Sequence, residues 1–81
     1  MIEQIKSLIE EKIQPEQIEV TGDGSHFQLS VVSDVFDGLR PVQRQQKIYA
    51  IIAELIANGS VHAISIKTYT LAEWKQASKF L

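Results

Sequence analysis

The spacing of apolar residues switches from threes and fours to twos and back within 81 residues, and few folds accommodate that alternation. Ile2, Ile5, Leu8, Ile9 and Ile13 fall on one face of a helix, with Glu3, Lys6, Glu10, Glu11 and Lys12 outside it. Pro15 stops that helix, so it is expected over Ile2–Ile13. From Gln17 to Thr21 the spacing is two, which reads as a short strand with Ile18 and Val20 inward. Thr21-Gly22-Asp23-Gly24-Ser25 is turn chemistry, and His26–Ser33 follows as a second strand presenting Phe27, Leu29 and Val31. These two strands and their loop predict a hairpin.

The helical period then returns. Val35 to Pro41 is a connector with a tight turn at Gly38, and Phe36 is expected in the core. Pro41 suits the first position of a helix running to Ala57, where Asn58-Gly59 provides the C-terminal cap. Ile48, Ile51, Ile52, Leu55 and Ile56 form its expected core stripe. Val61–Thr68 alternates as a third strand. Thr70-Leu71-Ala72-Glu73 matches a capping box, opening a last helix, over about Leu71–Lys79, that carries Trp74, expected in the core, and Phe80. The predicted fold class is α+β: a single domain spanning 1–81, order α-β-β-α-β-α, with a three-stranded sheet packed by helices.

Composition narrows the chemistry. There is no cysteine, so disulfides and thiolate metal sites are excluded, and the two histidines, His26 and His62, are the only imidazoles. No run is apolar and long enough to span a bilayer, and the amino terminus lacks the pattern of a signal peptide. A cytoplasmic location is the expectation. Eight basic and ten acidic side chains leave a net charge of −2, which disfavours a dedicated non-specific nucleic-acid binder.

His62 stands at the entrance of the third strand, after Gly59-Ser60, where its ring can reach solvent and bind a transition metal when neutral. A lone histidine is more often simply solvated or half-buried, and both readings stand at this point. His26 follows the glycine-rich turn and is the natural second nitrogen ligand; the alternative is an ordinary strand residue at the sheet edge. Asp23 is a fallback oxygen donor suited to harder ions. Arg40, Arg44 and Lys47 share one helical face. That face is either a solvated surface, a contact for an acidic partner, or a weak nucleic-acid contact. Ser25, His26 and Asp23 are too close along the chain to make a catalytic triad. No phosphate loop, paired carboxylates or hydrolase metal spacing is present, so the chain is not expected to be an enzyme.

Four blocks carry a resemblance over nearly the whole chain: Gly22-Asp23-Gly24-Ser25-His26-Phe27, Phe36-Asp37-Gly38, Gln45-Gln46-Lys47-Ile48-Tyr49, and Val61-His62-Ala63-Ile64-Ser65-Ile66-Lys67-Thr68-Tyr69-Thr70 closing on Glu73-Trp74. In that order they resemble the BolA-like family, and within it the short, acid-stress-linked bacterial branch. The resemblance implies a fold related to the type II KH arrangement. It also implies a partner, a monothiol glutaredoxin, and a [2Fe-2S] cluster shared with that partner and glutathione, with none held by the isolated chain.

In the family the histidine matching His62 ligates the cluster, and a second ligand comes from the loop between the first two strands, which points to His26. The family's regulatory associations imply a rival reading, a nucleic-acid-binding transcriptional regulator of stress response or cell envelope acting through Arg40, Arg44 and Lys47. The G-x-x-G clamp of RNA-binding KH domains is missing, however. A third reading is an interaction module whose histidines are incidental, and the chain alone is expected to be a monomer or weak homodimer. Arg40 replaces a serine common before the proline, costing a normal N-cap. Leu71 replaces a proline common after the capping threonine.

Overall fold

The computed structural model describes residues 1–24 and 26–79. Phe80, assigned above to the last helix, lies outside the described residues, as does Ser25. The elements are α1 (Ile2–Ile13), β1 (Gln17–Asp23), β2 (His26–Val32), a single 3-10 turn (Asp34–Phe36), α2 (Pro41–Ile51), α3 (Ala53–Ala57), β3 (Ala63–Tyr69) and α4 (Leu71–Ser78). The α+β order and three-stranded sheet match the reading of the sequence.

α1 ends where the residue before a proline is driven out of the helical region. Gln14 takes a left-handed conformation (φ 46°, ψ 64°), and its N–H still donates to the Glu10 carbonyl. The strands lie in the order β1-β2-β3. β1 and β2 are antiparallel, joined by a hairpin that closes on the Asp23–His26 pair, with Gly24 in its turn at φ 66°. The loop expected from Thr21 to Ser25 is therefore much shorter: Gly22 and Asp23 continue the strand.

β3 is reached through α2 and α3, a crossover long enough to bring it parallel to β2. Alternation then sorts the side chains by face. Phe27, Leu29 and Val31 of β2 turn inward, between Ile18 and Val20 of β1 and Ile64 and Ile66 of β3. Helices cover that face, and Ile5, Ile9, Phe36, Ile48 and Ile52 are fully buried against it. Burying such side chains supplies about 1.5–3 kcal/mol each, which is how a chain of 81 residues sustains one core.

Three expectations are corrected. The long helix is not continuous: it breaks at Ile52 (φ −101°, ψ 16°), separating α2 from α3. Ile52 stays sealed in the core while the Leu55 N–H reaches its carbonyl in a tighter turn. As a result Ile56, expected in the stripe, is 38% exposed. Trp74 is not in the main core either. It packs edge-on against Tyr69, centroids 5.3 Å apart, at one end of the uncovered sheet face.

Gln45 and Asp34 tie the helices to β3 and the element after it. The Gln45 amide donates to the Ile66 carbonyl at 2.8 Å, so the free edge of β3 does not present that acceptor to solvent. Asp34 accepts the Leu71 N–H at 3.1 Å. A proline at position 71 could not make that bond.

Candidate functional site

β2 and β3 run parallel, so both begin at the same end of the sheet. The register pairs His26 with Ala63, and His62 is the residue just before Ala63. Adjacent strands are about 4.8 Å apart and rise about 3.3 Å per residue, so this register brings His26 and His62 to the same end of the sheet, one residue out of step with each other. Both residues are exposed.

Their surroundings differ. His26 is held in β2 opposite Asp23, with its side chain on the uncovered face. His62 sits in a bend just before β3. The preceding Val61 turns into the core, 3% exposed, and its N–H is fixed to the Leu55 carbonyl at 3.1 Å. Ala63 already belongs to the strand. Between an anchored valine and a paired alanine, the His62 ring is left facing solvent.

The uncovered face is polar where it meets His26. Thr21, Asp23, His26, Gln28, Ala63 and Ser65 line a shallow depression of about 630 Å³. His62 stands outside its lining. Asp23, the fallback oxygen donor, borders it. No group of three or more metal-ligating side chains occurs among the described residues. Two exposed histidines at one sheet end fit a metal group that takes nitrogen from this chain and its remaining ligands from elsewhere.

The basic face behaves differently from its reading in the sequence. Arg44 is only 12% exposed at its side chain. Its Nη1 and Nη2 donate to the two carboxylate oxygens of Glu73 at 2.6 and 3.1 Å, and its Nε donates to the Leu39 carbonyl at 3.0 Å. The hydrogen bond from Arg44 holds the Glu73 carboxyl below the ordinary carboxylate value, assisted by the Thr70 N–H. The same pairing raises Arg44. Arg40 and Lys47 remain as cations not committed in this way. At Arg40 only half of a capping box forms: its N–H donates to Gln43 Oε1 at 2.8 Å, but a guanidinium has no acceptor to return the bond.

Helix order and mixed sheet together define a domain of the BolA kind. The family model described as "BolA-like protein" matches residues 7–73, and the chain belongs to that family. Within it the chain falls with the IbaG branch: it is 42% identical to the acid stress protein IbaG of Escherichia coli K12 over 94% of this chain and 90% of that protein. Two solved structures share the fold. One is the BolA domain of SufE1 from Arabidopsis thaliana (TM-score 0.82, 31% identity, covering 89% of this chain and 93% of that one). The other is BolA1 from Mus musculus (TM-score 0.83, 30% identity, 95% and 70%).

Proposed function

We propose that this chain is a non-enzymatic partner of a monothiol glutaredoxin and that it shares a [2Fe-2S] cluster with it in iron-sulfur trafficking or sensing. The observation that carries the reading is the parallel register of His26 with Ala63, which brings His62 and His26 to one sheet end, both exposed. A neutral imidazole offers a ring nitrogen to iron, and such ligation beside thiolate sulfur is established chemistry. His62 is the principal ligand in this reading, because the anchored Val61 leaves its ring solvent-facing. His26 is the second, and Asp23 an oxygen substitute of lower suitability. The partner's cysteine and glutathione complete the ligand set.

The nucleic-acid reading receives less support. Arg44 is held by Glu73 and the Leu39 carbonyl, which leaves Arg40 and Lys47 to meet phosphates in a chain of net charge −2. The test of the leading reading is co-expression with a monothiol glutaredoxin. A one-to-one complex with visible absorption and circular-dichroism bands distinct from those of the glutaredoxin alone is the expected result. Failure of the two proteins to associate would overturn it.

A further inference from the structure

Helices α1 and α2 are held by side chains sealed in the core, Ile5 and Ile9 from the first and Ile48 from the second. α4 is held differently. None of its residues is fully buried: Leu71, Trp74 and Ala77, which share one face, are half-buried, and the rest are exposed. A helix of eight residues does not persist alone in water, where about 12–15 residues is the marginal length. Its presence on the protein therefore rests on its attachments to other elements.

Those attachments are few. Asp34 Oδ1 accepts the Leu71 N–H at 3.1 Å, the Arg44 guanidinium takes both carboxylate oxygens of Glu73, and Trp74 lies edge-on to Tyr69. Glu73 is 46% exposed at its side chain, so its ion pair meets solvent. The chain just before α4 is fixed more firmly. The Ser33 N–H donates to the Tyr69 carbonyl at 2.8 Å, at the end of the β2–β3 ladder, and Thr70 is buried. The boundary between firmly and lightly held chain falls at Thr70. A segment with few buried apolar contacts opens at a lower free energy than the whole domain.

We propose that α4 is a strap: it opens as a unit at Thr70 while the sheet and the other helices stay folded, and the Arg44–Glu73 pair is its latch. No fully buried side chain leaves the core when it opens. Opening takes Trp74 off Tyr69 and Glu73 off Arg44 together. The aromatic end of the uncovered sheet face and one cation of α2 are thus released in a single event.

Hydrogen exchange of individual backbone amides, followed by NMR in the full chain, tests the proposal. The Trp74 N–H, which donates to the Thr70 carbonyl at 2.9 Å, and the amides after it in α4 should be protected at least about tenfold less than the paired amides of β2. Glu73→Gln should speed exchange in α4 about two- to fivefold, the effect of losing a largely exposed ion pair. Ile9→Val trims a fully buried side chain of α1 and should speed exchange in β2 about two- to tenfold. It should leave α4 exchange unchanged, because the strap opens without disturbing the core that Ile9 fills. α4 amides as well protected as those of β2, α4 amides that follow β2 in Ile9→Val, or α4 exchange indifferent to Glu73→Gln would each overturn the proposal.

Discussion

The Arg44 guanidinium grips the Glu73 carboxylate with two hydrogen bonds, 2.6 Å and 3.1 Å, across 29 residues of sequence. Glu73 Oε1 also accepts the Thr70 N–H at 2.9 Å, and Thr70 Oγ1 accepts the Glu73 N–H at 3.1 Å. One carboxylate thus closes the capping box of α4 and fastens that helix to α2. Thr70 is 6% exposed, so its hydroxyl and N–H both depend on these partners.

This arrangement predicts an acid-dependent stability. The folded-state Glu73 carboxyl titrates below its ordinary value of 4.5. Its contribution is therefore complete above that value and is lost as the pH falls through the depressed one. Glu73→Gln keeps an acceptor for Thr70 but removes the charge. It should cost about 0.5–1 kcal/mol at neutral pH, the modest size expected of a largely exposed ion pair. In thermal melts from pH 7 to pH 3 the gap between wild type and variant should hold steady and then close on the acid side. A gap that stayed open there would place the stabilisation elsewhere.

Gly22 lies opposite Phe27 in the hairpin register. A Cβ at position 22 would overlap the Phe27 ring, coming within 2.7 Å of its Cε1 and 3.2 Å of the His26 carbonyl. Phe27 is 5% exposed and held by the core, so it has little room to retreat. Gly22→Ala should destabilise the domain by about 1–3 kcal/mol in urea titration and shift the backbone resonances of His26. Gly24→Ala is the comparison. It meets no atom within 4 Å, so it acts only through its positive φ of 66° and should leave Phe27 unmoved.

Nucleic-acid binding, where it can be measured, should be feeble and salt-sensitive. With Arg44 engaged by Glu73, Arg40 and Lys47 can neutralise about two phosphates, giving a log–log salt slope no steeper than about −2. Arg44→Ala should lower the melting temperature and leave that slope nearly unchanged. Fluorescence anisotropy at 50 and 200 mM salt distinguishes this from the rival reading, in which Arg44→Ala reduces the slope by about one.

What could be read along the chain was what depends on neighbours in sequence. The α1 span, the Asn58-Gly59 stop, the Thr70–Glu73 box and the inward set Phe27, Leu29 and Val31 all follow from local spacing and local chemistry, and each is present. What could not be read depends on residues brought together from a distance. Arg44 looks like a free cation until α4 places Glu73 beside it. Trp74 looks like core until the Tyr69 ring is seen to hold it at the rim of the uncovered sheet face. The break at Ile52 reflects a conflict between helix continuity and the depth of one side chain, which apolar spacing does not weigh. Both histidines could be singled out from the sequence, and so could their likeness to a family ligand. Their placement at one sheet end could not, because it rests on the parallel register of β2 with β3.

That shared sheet end should make ligation by this chain sensitive to acid. A protonated imidazole has no lone pair for iron, so occupancy in the complex should fall as the pH drops through the range where imidazoles take up a proton. Titration of the visible bands of the complex measures this. Occupancy that did not change with pH would point to ligands other than imidazole.

The most direct measurement is the visible circular-dichroism spectrum of the glutaredoxin complex carrying His62→Ala, recorded beside wild type and His26→Ala. Both imidazoles are exposed and contribute little packing, so both variants should fold as wild type does. His62→Ala should abolish the bands arising from histidine ligation, and His26→Ala should weaken or alter them. An unchanged spectrum from a correctly folded His62→Ala complex would contradict the central claim that this histidine holds the shared cluster.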